Sequence, residues 1–127
     1  MKDCIFCKIV SGEMPYYKVY ENENFLAFLD IYPRVKGHTL VIPKKHYHWV
    51  YDVPEFGEYW ESVLEVTRKI QRSLMPKLIN YFTYGIDVSH AHIHVLPRFT
   101  ETEFLPKTIN LSKTEMTEIA EKINSAS

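Results

Sequence analysis

The stretch SHAHIHVLPRF, residues 89–99, carries three of the chain's six histidines, at 90, 92 and 94, with Ala91 and Ile93 between them and Val95 after. In a β-strand successive side chains point to opposite faces, so His90, His92 and His94 share one face while Ala91, Ile93 and Val95 pack on the other. That is a strand half core and half site. With a rise of about 3.3 Å per residue, the first and third Cα atoms stand roughly 13 Å apart, whereas imidazole nitrogens bind zinc at about 2.0 to 2.1 Å. One metal would not easily gather all three rings. Neighbouring imidazoles also oppose one another's protonation, which keeps at least one neutral near pH 7 and nucleophilic. A neutral, positioned imidazole can attack phosphorus or acyl carbon.

Working outward, DCIFCKIVSG reads as a metal-type knuckle running into a short helix that stops at Gly12. YYKVYEN, FLAFLDIY and HTLVIPK are β-rich runs separated by turn residues at 22–24 and 33–37, the pattern of an antiparallel meander. Asp52, with Pro54 and Glu55, is a start signal for a long amphipathic helix that ends before Pro76. LINYFTYG predicts a further strand, Gly85 a turn, and Pro97 the end of the histidine strand. Ser112 and Glu115 form a capping box for a final helix. The order implies an α+β domain with an antiparallel sheet of about five strands, a long central helix and a C-terminal helix.

With 127 residues, 46% of them hydrophobic, 24% charged and a net charge of −1, one globular domain over 1–127 is expected. Nothing in the overall charge favours nucleic acid or an anionic membrane. The start, MKDCIFCKIV, interrupts its short apolar run with charges and no window approaches a membrane span, so a cytoplasmic protein is expected.

Both cysteines lie in one C-x-x-C, Cys4 and Cys7. Two thiolates supply half of a tetrahedral zinc site, and His46, just past the apolar strand HTLVI, and His90 could complete it and pin the N-terminus to the sheet. A redox dithiol, or two unrelated buried cysteines, are the alternatives. A separate reading gives His90, His92, another histidine and Asp87 to a catalytic metal with an open position.

DCIFCKIVSGEMP, KVYENENFLAFLDI, KGHTLVIPKKH and HAHIHVLPR together resemble the histidine triad family of nucleotide hydrolases and transferases, in its zinc-containing branch, over most of the chain. The resemblance implies a homodimer whose subunits join their sheets, cleaving purine nucleotides, adenine ones foremost, at the α-phosphate of phosphoramidates or dinucleoside polyphosphates. By position it makes His92 the nucleophile that takes the nucleotidyl group and His94 a phosphate contact. His90 becomes a ligand, with Cys4, Cys7 and His46, of one structural zinc per chain. Asp30 would accept the ribose hydroxyls, Phe6, Ile9, Phe28 and Ile31 would enclose the base, and His38 corresponds to a family histidine near the catalytic strand. For the apolar four, plain core packing is the competing reading; for His38 it is a hydrogen-bonded strand histidine.

One departure from the family pattern stands out. Many members read Gly-Gln-Ser-Val-x-His before the triad, where this chain reads GIDVSH, with Ile86 at the glutamine and Asp87 at the serine. Asp87 could orient a triad imidazole or protonate the leaving group, although as a free carboxylate it would repel a phosphate. Asn80, in NYFTYG, is not assigned to the site. A nucleotide-binding or interaction module that keeps the triad without turnover is the alternative function. The helix segment EFGEYWESVLEV, with Phe56, Tyr59, Trp60 and Val63, is a candidate dimer interface, or simply the cover of the sheet.

Overall fold

A computed structural model describes residues 3–103, 105 and 107–126. The domain expected over 1–127 therefore includes Met1, Lys2, Phe104, Pro106 and Ser127, which lie outside the described residues. The chain forms α1 (Ile5–Val10), β1 (Lys18–Glu21), β2 (Phe25–Leu29), β3 (Thr39–Pro43), α2 (Phe56–Leu74), β4 (Leu78–Phe82), β5 (Ile93–Arg98) and α3 (Lys113–Asn124), with a short 3-10 turn at Val50–Asp52. The five strands make one antiparallel sheet in the order β1-β2-β3-β5-β4.

Alternation along the strands sorts the interior into two layers. Phe25 and Ala27 of β2, Val41 of β3, and Ile93 and Val95 of β5 face α2, where they meet Tyr59, Val63, Val66 and Ile70. These α2 positions recur at helical spacing and form its buried stripe. Full burial of each such aliphatic side chain contributes about 1.5–3 kcal/mol. Leu26 and Phe28 of β2 and Leu40 and Ile42 of β3 point the other way, onto Phe6 and Ile9 of α1. Leu40 pairs with His94 across β3 and β5, so the triad lies on the α1 face.

Several expectations need correction. Asp52 does not start α2: it sits in the 3-10 turn, and α2 begins after Glu55, whose side chain makes no capping bond. At the other end the helix stops where expected, with Met75 left-handed (φ 48°) before Pro76. Pro97 does not end the histidine strand; it pairs with Ile79 inside β5. Pairing with β3 covers only Ile93 to Val95, so the proline falls beyond the part flanked on both sides, where a missing N–H is tolerated. Conversely, β5 starts only at Ile93, and His90, at a bend, and His92 lie in the irregular approach to it. That approach is held by the Ala91 N–H on the Tyr47 carbonyl and by the Thr83 hydroxyl on the His92 carbonyl, at 2.7 Å. The alternation persists there, with Ala91 in the α2 layer.

Of the candidate interface residues, Tyr59 and Val63 belong to the core, Tyr59 stacking on Phe25 and donating to the Val41 carbonyl at 2.6 Å. Phe56 is exposed, and Trp60 packs its edge against Tyr81. The capping box of α3 is formed by Ser112 and Glu115 as expected, yet no residue of that helix is buried. Among the described residues no helix is long and apolar enough to cross a membrane.

Candidate functional site

The first cluster ties the N-terminus to the sheet. Cys4 caps α1, its thiol accepting the Cys7 N–H at 3.4 Å, which brings both sulfurs to one side of the first turn. Cys4 Sγ lies 3.3 Å and Cys7 Sγ 3.5 Å from His90 Nδ1, and Cys7 Sγ lies 3.4 Å from His46 Nδ1. All four donor atoms fall within 4.8 Å of one another, close enough to hold a metal ion. Sulfur and nitrogen bound tetrahedrally to zinc, at about 2.3 and 2.05 Å, would stand about 3.6 Å apart, so the donors are already near ligation distance. His90 Nε2 donates to the Pro43 carbonyl at 2.8 Å, which leaves the Nδ1 lone pair aimed at the sulfurs. Burial holds His46 below the ordinary histidine value and takes His90 down to about 4, so both rings are neutral donors near pH 7. Burial, with the Cys4 thiol beside it, pushes the Cys7 thiol up to about 11, a proton that metal binding would displace.

The second cluster is the histidine face itself. His92 Nδ1 lies 2.8 Å from the His90 carbonyl, which can only accept, so the proton is on Nδ1 and the Nε2 lone pair is free. His94 is fixed through a second ring. The Arg34 backbone N–H donates to His38 Nδ1 at 3.1 Å, which leaves the His38 proton on Nε2, 2.9 Å from His94 Nδ1. His94 therefore accepts at Nδ1 and carries its own proton on Nε2. Two adjacent rings are thus held in opposite tautomers, one presenting a lone pair and the other an N–H. Phe82 stacks flat on His94, 4.0 Å between centroids, and fixes its plane.

Burial first, then the neighbouring His92 and His38, pushes His94 down to about 3. Burial likewise holds His38 low, against the Asp30 carboxylate, which favours its protonation. The mutual repulsion of imidazoles expected from the sequence is therefore real at His94, but second to desolvation.

A cleft of about 750 Å³, counting its open mouth, has His92 and His94 at one end and all of Phe6, Ile9, Phe28, Asp30 and Ile31 among its walls. Phe6, Ile9 and Phe28 also form the α1-side core, so they are at once core residues and walls of the cleft. Ile31 is exposed at the rim. Asp30 accepts the Tyr32 N–H through Oδ1 at 2.8 Å, and its Oδ2 stands 3.6 Å from His38 Nε2. Asp87 also lines the cleft, its Oδ1 accepting the adjacent Val88 N–H and lying 3.7 Å from His92 Nε2. The hydrogen bond of the His92 ring is to the His90 carbonyl at the other nitrogen, while Asp87 stands beyond hydrogen-bond distance.

Sequence reasoning missed further wall residues, among them Met14, Tyr16, Tyr32 and Val88. Tyr16 meets the Phe28 ring edge-on, but it comes from a loop that carries no motif. Asn80 lies on β4, accepting from Arg98 at 3.0 Å, and does not line this cleft. Nor does the structure gather His90, His92 and Asp87 around one point as a catalytic metal would require: His92 belongs to neither cluster of potential ligands. The other such cluster, Asp30, His38 and His94, has its two rings 2.9 Å apart, a hydrogen bond and closer than the about 3.3 Å of two imidazoles on one tetrahedral ion.

The family model of the HIT domain matches residues 11–101. An HIT-like protein of Borreliella burgdorferi is 44% identical over 117 residues, which span 82% of this chain and 81% of its own. Adenosine 5'-monophosphoramidase hnt1 of Schizosaccharomyces pombe is 36% identical over 103 residues, 77% of this chain and 76% of its own. The crystal structure of an HIT family protein from Bacillus subtilis superposes with a TM-score of 0.88 at 36% identity, covering 96% of this chain and 95% of that one. With the family model covering more than half of its length, the chain belongs to the HIT domain family.

Proposed function

We propose that the protein hydrolyses purine nucleotides, adenine nucleotides foremost, at the α-phosphate through a nucleotidyl group carried on His92. The observation that carries this reading is the pair of opposite tautomers at one end of an apolar cleft. The monophosphoramidase named in fission yeast supports the substrate class.

In the first step the His92 Nε2 lone pair attacks phosphorus and the bond to the leaving group breaks, an amine departing with its electron pair and taking a proton from water. The ring becomes cationic as the N–P bond forms, and the His90 carbonyl at its Nδ1–H stabilises that charge. His94 donates its Nε2–H to a nonbridging oxygen, where charge accumulates. In the second step water attacks phosphorus and gives its proton to the hydroxide left by the first step, the N–P bond breaks with its electron pair returning to His92 Nε2, and the monophosphate leaves. Asp30 binds the ribose hydroxyls through its freer oxygen, and Phe6, Ile9, Phe28 and Ile31 hold the base. His38 acts through His94 and is a positioning residue.

Cys4, Cys7, His46 and His90 would hold one structural zinc, which supplies a cross-link rather than a Lewis acid at phosphorus. Residue 90 then has two duties: its ring ligates, and its carbonyl fixes the His92 tautomer. A reducing cytoplasm suits the two free thiols. We include one domain over 1–127 and a homodimer in the reading, supported by the edge position of β4 and by the exposed Met116, Ile119 and Ile123 on α3.

The alternative is a module that binds nucleotide without turnover, favoured by the Asp87 carboxylate close to His92. Incubation with adenosine 5'-phosphoramidate separates the two. The enzyme reading expects AMP release, a base-quenched covalent adduct, and a loss of at least about a thousand-fold in His92→Ala. AMP binding without any turnover in the parent, or undiminished turnover in His92→Ala, contradicts it.

A further inference from the structure

Asp87 puts a carboxylate beside the attacking nitrogen, where it works against a phosphate. Its side chain is 63% exposed, its Oδ1 is 3.7 Å from the nucleophilic nitrogen, and among the described residues no lysine or arginine lies within ion-pair distance of it. The protein thus keeps an uncompensated carboxylate next to the attacking atom. A phosphorus poised about 3 to 3.5 Å from His92 Nε2 places the first atom of any leaving group within about 9 Å of that carboxylate. This is inside the about 10 Å over which charges interact at moderate salt.

The charges around the phosphate position are also asymmetric. His94 feels the Asp87 carboxylate, which favours its protonation, and the Arg34 guanidinium, which opposes it. The His94 N–H is offered to nonbridging oxygens, whereas Asp87 sets a negative charge beside the attacking nitrogen. The nucleoside fills the apolar part of the cleft, between Phe6, Ile9, Phe28 and Asp30, so the portion of substrate that passes exposed Asp87 is the leaving group.

Resting on the hydrolase reading above, we infer that Asp87 selects the leaving group by charge: the protein prefers nucleoside phosphoramidates whose amine carries a cationic centre, and discriminates against anionic leaving groups such as polyphosphate. A cation there supplies the counter-charge that the protein leaves out, whereas a polyphosphate brings several negative charges up to an unneutralised carboxylate. The loop places Asp87 firmly enough for this. Gly85 (φ 78°) lies against Trp49, where an added Cβ would come within 2.5 Å of the indole, and His48 Nε2 donates to the Gly85 carbonyl at 3.0 Å.

The test uses three adenosine 5'-phosphoramidates differing in the amine substituent: 2-aminoethyl (cationic), propyl (neutral) and 2-carboxyethyl (anionic). In the full-length, metal-loaded parent, kcat/KM is expected to fall in that order, by about ten-fold from cationic to anionic, or 1.4 kcal/mol, and the spread to narrow as salt is raised. In Asp87→Asn the cationic-to-anionic ratio should collapse from about ten-fold to within about two-fold, while Asp87→Glu, which keeps the charge, should retain most of it. Taking ratios cancels the intrinsic reactivities of the amines and any common effect of the variant on chemistry. Equal turnover of all three by the parent, or an unchanged ratio in Asp87→Asn, overturns the charge-selection proposal and leaves the hydrolase reading standing. No AMP release from any of them overturns both.

Discussion

The two faces of β5 and its approach are built from alternate residues of one short segment, yet they depend on detail in different ways. On the α2 side, Ala91, Ile93 and Val95 are buried by area and volume, and any well-packed apolar set of similar size would serve. On the α1 side each imidazole has a separate duty, and each is fixed by a backbone group rather than by another side chain's charge. The Pro43 carbonyl turns His90 toward the sulfurs, the His90 carbonyl frees Nε2 of His92, and the Arg34 N–H, through His38, leaves His94 a donor. Stability is spread over the first face and specificity is concentrated on the second. Mutations should therefore rank differently on the two scales.

On turnover, the largest effect among residues that touch no substrate is expected at His38. His38→Phe removes the donor that fixes the His94 tautomer, and kcat should fall by about ten- to a hundred-fold with little change in KM, because the base and ribose walls are intact. An unsatisfied buried nitrogen on His94 should cost about 1–3 kcal/mol in a denaturant titration. A matched rise in KM instead would assign His38 to substrate binding.

Replacing both Cys4 and Cys7 by serine should abolish metal binding, measured by elemental analysis, and lower Tm by about 10 °C. Turnover should drop less than in His38→Phe, by about ten-fold, since the His90 carbonyl is loosened but not removed. Unchanged metal content would sink the ligand assignment.

Ile93→Ala, on the opposite face between His92 and His94, should have the smallest effect on turnover, under about two-fold at a temperature where the variant is folded. Its stability loss of about 2–5 kcal/mol should exceed that of His38→Phe. A large loss of kcat in this variant would mean that the two faces are not separable.

Much of this contrast was legible in the sequence. Period-two alternation at 90–95 assigned both faces, Gly12 and Pro76 bounded two helices, and the Ser112–Glu115 box started the third. C-x-x-C with His46 and His90 anticipated the donor cluster, and the five residues drawn from the family resemblance all line the cleft. What was not legible lies in backbone contacts. Pairing on one side of Pro97 decides where β5 ends, and a turn near Arg34 decides which nitrogen of His94 carries a proton; neither has a residue-type signature. Tyr16 and Met14 reach the cleft from a loop without periodicity, so only the folded chain reveals them.

The central claim is that His92 and His94 sit side by side in opposite tautomers. Long-range nitrogen–proton NMR correlations on the selectively labelled, metal-loaded protein at neutral pH read this directly, before any substrate is added. The expected spectrum has His92 protonated at Nδ1 and His94 at Nε2. A His92 proton on Nε2, or the same tautomer in both rings, would leave no lone pair facing the cleft beside a donor, and would contradict the account.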